Sequence, residues 1–94
     1  GLSDHWLEPI RRLARSYAVD LAACEGDEDR RDKLAELNVV EGVRRVSETP
    51  ILQKAWARGA DVRVHGLIYG LKDGRLRNLD CSIGPGHFVE EAAQ

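Results

Sequence analysis

The chain has 94 residues, 43% hydrophobic and 32% charged, and its 14 Lys and Arg against 16 Asp and Glu leave a net charge of −2. That length makes one domain at most, with a small core, since a chain this short buries only about 60–65% of the surface it exposes when unfolded. The balanced, well-mixed charge excludes the basic footprint of a nucleic-acid or anionic-membrane binder, and no apolar run approaches the roughly 20 residues of a membrane span.

Leu2, Trp6, Ile10, Leu13, Tyr17 and Leu21 recur every three or four residues and predict a first helix, with Ser3 or Asp4 as its N-cap. Glu8 and Arg12 stand four apart on the opposite face, in the favourable order for an ion pair. Pro9 then falls just past the first turn, where it removes a backbone hydrogen bond and bends the helix. Ala22-Ala23-Cys24-Glu25-Gly26 closes the helix, with Gly26 at the C′ position. The charge run from Gly26 to Lys33 places acids before bases, as the solvated start of a second helix does. That helix continues over residues 33–48. Leu34, Leu37, Val40 and Val43 form its apolar line, and Val39 and Val46 widen it enough for contact on two sides. Asn38 and Gly42 interrupt good helix formers and are expected to mark close packing. Thr49-Pro50 then caps and starts a short helix over residues 51–58, with Ile51, Leu52, Ala55 and Trp56 on its apolar side and Gly59 as its stop.

The period changes at Val62. Residues 62–70 are rich in β-branched and bulky side chains and predict a buried strand. Asp73-Gly74 fits a two-residue type I′ turn, and Arg75-Leu76-Arg77-Asn78-Leu79 alternates as a half-exposed return strand does. Residues 84–94, which begin Gly84-Pro85-Gly86-His87, read as a flexible tail. Two strands alone are marginal in water, and a buried strand wants neighbours on both sides. The expected fold is therefore α/β, three helices followed by a hairpin that is part of a larger sheet. There is no internal repeat and no low-complexity segment. The first residues lack the basic start and apolar middle of a signal peptide, so the default setting is cytoplasmic.

Chemistry-bearing residues are few. Cys24, Cys81, His5, His65 and His87 are the soft or imidazole candidates, and no pair of them has the close spacing a zinc site uses. Cys24 and Cys81 are expected to be reduced thiols. A nucleophilic site needs a Cys or Ser beside a His, and Cys81 with His87 is the candidate pair, with His87 in the tail. No Gly-rich loop enters a helix to cradle phosphate. His65 reads as a core or interface histidine bonded to backbone, and Gly66 as a point of close approach. Trp6 and Trp56 read as packing residues, and Tyr69 as a core aromatic with a satisfied hydroxyl.

Four stretches together carry a resemblance. Gly1-Leu2-Ser3-Asp4-His5-Trp6-Leu7-Glu8-Pro9-Ile10-Arg11 is similar to a Gly-Leu-x-x-x-Trp-Leu-x-x-Ile-Arg helix of β-class carbonic anhydrases. Leu37-Asn38-Val39-Val40-Glu41-Gly42-Val43 resembles that family's Leu-Asn-Val-x-x-x-Val helix, and Thr49-Pro50 through Gly59 its following short helix. Val64-His65-Gly66 through Gly74-Arg75-Leu76 resembles its last core strand and hairpin, with Leu67 where the family usually has an aromatic. The resemblance spans residues 1 to about 82. It implies a single partial domain over residues 1–94, the C-terminal part of a zinc enzyme with a central parallel sheet that interconverts carbon dioxide and bicarbonate. The family's zinc ligands come from Cys-x-Asp-x-Arg and His-x-x-Cys segments, neither of which is in this chain. The cofactor expected of the parent is thus zinc, and the chain alone is expected to bind none and to be inactive. The expected partner is the N-terminal half carrying those segments, within a parent that forms homo-oligomers. A start at Gly1, in mid-motif and without Met, favours a portion of a longer enzyme. The alternatives are a stand-alone, non-catalytic interaction module derived from that fold, and a small helical binding domain. The resemblance also places Tyr69 where bicarbonate-regulated members carry a Tyr that helps a Trp and an Arg hold an inhibitory bicarbonate.

Overall fold

In a computed structural model, residues 7–86 are described. They form α1 (Glu8–Ala23), α2 (Asp27–Ser47), α3 (Pro50–Ala57), β1 (Leu67–Tyr69) and β2 (Leu76–Asn78). The strands pair antiparallel, so the three-helix and hairpin order is as the sequence predicts, with a two-stranded sheet among the described residues.

The start of α1 differs from expectation. The helix begins at Glu8 behind Leu7, and Pro9 stands in its first turn, where the missing N–H has no intrahelical acceptor in any case. Pro9 therefore belongs to the helix start and bends nothing; the caps assigned to Ser3 and Asp4, and the stripe positions Leu2 and Trp6, lie outside the described residues. Glu8 is bonded by Arg15 at 2.8 Å, two turns along, rather than by Arg12, and that bond holds the Glu8 carboxyl below its ordinary pKa. Gly26 does not end α1. Its φ of −97° is ordinary, and it stands at the N-cap of α2.

α2 lies between α1 and the hairpin, which is the two-sided contact its wide apolar face implies. Its buried line is Glu36, Val40, Val43 and Ser47, at helical spacing. Leu34 and Val46 stay 45% and 48% exposed. Gly42 is not a point of close packing, since a methyl there would meet nothing within 4 Å. At the C-terminal end of α2, Glu48 accepts from Arg11 at 2.8 Å and from Arg44 at 3.2 Å, and Arg44 also donates to Glu41. This network fastens the end of α2 to α1.

Ser47 is fully buried, and its Oγ has no hydrogen-bond partner among the described residues. A buried hydroxyl without a partner costs roughly 1–3 kcal/mol. Ser47→Ala is therefore expected to raise stability by about 1 kcal/mol in urea denaturation; a loss of stability would show that the hydroxyl has a partner.

α3 follows the prediction closely. The Thr49 side chain accepts from the Leu52 amide, Pro50 opens the helix, and Gly59 stops it at a φ of +84°. Leu52 and Trp56 are buried, while Ile51 is 84% exposed and not on the packed side. The Trp56 indole donates to the Val62 carbonyl at 2.7 Å, which ties α3 to the chain entering the hairpin.

The predicted strand over residues 62–70 is interrupted. Val64 exchanges backbone bonds with Ile83, and Gly66 accepts from Leu79, so Asp80, Cys81 and Ser82 oppose His65 alone. This is a β-bulge. Asp80 adopts a φ of 57°, and its amide donates to the Asn78 side chain at 2.9 Å. The reverse of the hairpin also differs from a type I′ turn: only Gly74 has a positive φ, and the Gly74 amide closes back on the Gly70 carbonyl at 2.9 Å. The wider loop is a helical turn rather than a two-residue hairpin turn. Leu76, Arg77 and Asn78 are all exposed, so the half-buried alternation expected of the return strand is absent. Most of the predicted tail lies outside the described residues, and Pro85 and Gly86 carry helical backbone. No described helix is long and apolar enough to cross a membrane.

Candidate functional site

The hairpin carries most of the candidate chemistry, and the bulge decides where it points. Cys81 turns inward and is buried at 3% exposure. Its sulfur occupies the space above Gly66, where a Cβ would collide with it and would also crowd Val39 and Val43 of α2. Gly66 is the close approach the sequence predicts, and its occupant is a thiol. Burial pushes the Cys81 thiol up from its ordinary pKa, which leaves it a poor nucleophile. Cys24 is also a free thiol, at the α1–α2 turn.

Ser82 turns outward. Its hydroxyl lies 2.7 Å from His65 Nδ1. His65 is exposed and bonded to a side chain, not a core histidine bonded to backbone. The pair borders a small cavity of about 200 Å³ with Arg63 and the Gly84-Pro85-Gly86 backbone. His5 and His87 lie outside the described residues.

Tyr69 is not a core aromatic. It is 58% exposed on the outer face of β1, opposite Leu76. A methyl at Gly74 would lie 3.6 Å from its hydroxyl, so the turn passes close beside the phenol. The hydroxyl makes no hydrogen bond among the described residues, and it borders a cleft of about 450 Å³ with Asp32, Leu71, Asp73 and Arg77. Arg77 does not face an anion there: its guanidinium donates at 2.8 Å to Glu36, whose side chain is 10% exposed. Lys33 approaches the same carboxylate at 3.9 Å. The cleft thus supplies a phenol donor and no uncommitted arginine of its own.

Glu36 and the Ser82–His65 pair were not found from sequence. The signal for Glu36 was available, since it stands four residues before Val40 on the packed line of α2. A reading that collects only apolar residues passes over it. Nothing in the sequence signals that Ser82 meets His65, because the bulge decides it.

Among the described residues no three His, Cys, Asp or Glu side chains gather as a metal site would require.

The carbonic anhydrase family model matches residues 1–76. This chain belongs to the β-class carbonic anhydrases. It is 38% identical over 90 residues to a carbonic anhydrase of Emericella nidulans, and the alignment covers 96% of this chain. The chain spans 39% of that relative's length. Its three helices and antiparallel hairpin are consistent with part of a carbonic anhydrase fold.

Proposed function

We propose that the chain is the C-terminal portion of a zinc-dependent β-class carbonic anhydrase that interconverts carbon dioxide and bicarbonate, and that it is inactive alone. The observation that carries this reading is the family membership over only 39% of a full-length relative. The exposed apolar side chains Leu67, Leu71 and Leu76 of the hairpin, with Leu34 and Val46 of α2, support it as surface that a further part of the protein covers. On this reading the metal is held by segments outside these residues, and the hairpin belongs to a central parallel sheet. The parent is a cytoplasmic homo-oligomer.

The test is direct. Purified 94-residue chain is expected to carry no stoichiometric zinc and to give no carbon dioxide hydration above buffer. Adding the missing portion of the parent at micromolar concentration is expected to form a complex. One tightly held zinc per isolated chain, or no association, would reject the proposal; a chain that binds other proteins but not that portion would favour the stand-alone interaction module.

Tyr69 is proposed as a bicarbonate-binding residue of a regulatory site in the parent. The exposed hydroxyl supports this, since a phenol O–H donates to an anionic oxygen. Of the two cations that line the cleft, Arg77 is paired with Glu36 and Lys72 with Glu28, so on this reading a further positive charge comes from another segment. In the parent, Tyr69→Phe is expected to weaken bicarbonate inhibition by about tenfold or more, as loss of one hydrogen bond to a charged group does. Unchanged inhibition, measured as activity against bicarbonate concentration, would leave Tyr69 a surface packing residue.

A further inference from the structure

Val64 packs against the core, and side chains alternate along extended backbone, so Arg63 and His65 share the opposite, outer face. The Val64 amide donates to the Ile83 carbonyl at 2.8 Å, and the Ile83 amide donates back to the Val64 carbonyl at 2.9 Å. That bonded pair fixes the antiparallel register around it: Arg63 stands opposite Gly84, and His65 opposite Ser82. Cys81 and Ile83 are buried, which leaves Ser82 and Gly84 on the outer face with Arg63 and His65. Gly84 has no side chain, and the Arg63 stem lies against it, where a Cβ would stand 3.4 Å from Arg63 Cγ. The cavity of about 200 Å³ opens on this face, with the Gly84-Pro85-Gly86 backbone along one side.

The polar groups around that cavity are only partly engaged. Arg63 uses Nε alone, on Asp61 at 3.3 Å, and its two terminal nitrogens have no partner among the described residues. Those nitrogens form a planar fork that suits two oxygens of one anion. His65 meets Ser82 through Nδ1 at 2.7 Å, and its Nε2 has no partner among the described residues. An anion beside an imidazole favours the protonated ring. In that form Nδ1–H donates to Ser82 Oγ, the Ser82 hydroxyl is free to donate its own hydrogen to the cavity, and Nε2–H is a further donor. The other charged groups near His65 are Asp61, already beside Arg63, and Asp80 in the bulge opposite. Both are exposed, so water and salt screen them.

We infer that this face binds a phosphate group, either the free ion or the head of a small phosphomonoester. The Arg63 fork takes two of its oxygens, and His65 Nε2–H and the Ser82 hydroxyl donate to the third. A carboxylate has only two oxygens, and the fork alone takes up both. Three donor groups around one small cavity match three terminal oxygens instead. The site shares no lining residue with the cleft beside Tyr69. It uses only residues of this chain, so the inference does not depend on the proposed activity.

Titration of inorganic phosphate into the isotope-labelled chain, at constant ionic strength and followed by nuclear magnetic resonance, tests this. Saturable shifts are expected at His65, Ser82 and Gly84, with the His65 ring signals moving to those of the imidazolium. Arg63→Gln and His65→Gln are each expected to weaken phosphate binding by about tenfold or more, as loss of a charge-assisted hydrogen bond does. Ser82→Ala is expected to weaken it by about threefold or more, the effect of one neutral donor. Arg75→Gln removes an exposed charge away from the cavity and is expected to change nothing. Acetate, the carboxylate probe, is expected to bind at least about tenfold more weakly than phosphate, since it leaves donors unmet. Glycerol phosphate forms a second arm: tighter binding than inorganic phosphate supports the inference with a phosphomonoester as ligand, and weaker binding supports it with the free ion. The absence of saturable shifts at His65 and Ser82 overturns the inference. So does acetate binding as tight as phosphate, or an equal loss in Arg75→Gln, which would reduce the effect to general charge. Should Arg63→Gln disturb the far-UV circular dichroism, Arg63→Lys keeps the charge and removes the fork; unchanged affinity in that variant also overturns the inference.

Discussion

Trp56→Ala is expected to lower the stability of the chain by about 3–5 kcal/mol, the usual cost of emptying a large aromatic site in a core. Trp56 is 1% exposed and heads the fully buried side chains by volume. Its indole also bonds the Val62 carbonyl at 2.7 Å, so the substitution also cuts the tie between α3 and the chain entering the hairpin. Domains of this size are stable by only about 5–15 kcal/mol, so one such loss removes much of the total. Urea denaturation followed by far-UV circular dichroism measures it. Trp56→Phe separates the two contributions, because it keeps most of the packing and removes only the donor; its expected cost is about 1–3 kcal/mol. A loss below about 1 kcal/mol for Trp56→Ala would contradict the central place given to this residue.

Gly66→Ala is expected to be the most damaging single-methyl addition in the chain. The new Cβ would collide with the Cys81 sulfur and would stand 3.1 Å from Val39 Cγ1 and 3.2 Å from Val43 Cγ2. Overpacking a tight interior site costs roughly 1–3 kcal/mol, and here the crowding falls on three neighbours at once, on both sides of the α2–hairpin contact. Removing the sulfur with Cys81→Ala relieves the worst contact. The double variant Gly66→Ala, Cys81→Ala is therefore expected to be more stable than the sum of the two single losses predicts, with a coupling of at least about 1 kcal/mol. Additive losses would mean that the thiol does not fill the space over Gly66. A methyl at Gly42, where the surroundings are open, is the control expected to do no harm.

Burial of the Cys81 thiol also gives its contribution a sign with pH. A thiol whose pKa is raised on folding is favoured in the protonated state. Its contribution is present in full below the pKa it has in the unfolded chain and is lost as pH rises through the folded value.

Three helices, a cap at Thr49, a stop at Gly59, the close approach at Gly66 and the change to a hairpin were all legible in the chain, because each rests on local chemistry. Apolar spacing, a hydroxyl before proline and the conformational freedom of glycine act within a few residues. The family resemblance was legible for the same reason, being carried by short motifs in order. What tertiary structure alone decided concerns residues that act across elements. The bulge at Asp80 turns Cys81 into the core and Ser82 onto His65, and no local period encodes a bulge. Glu36 is buried because Arg77, 41 residues away, arrives to neutralise it. Tyr69 faces outward because the pleat gives Ile68 the side toward α2, and a strand of alternating bulky residues reads equally well in either register until its neighbour is in place.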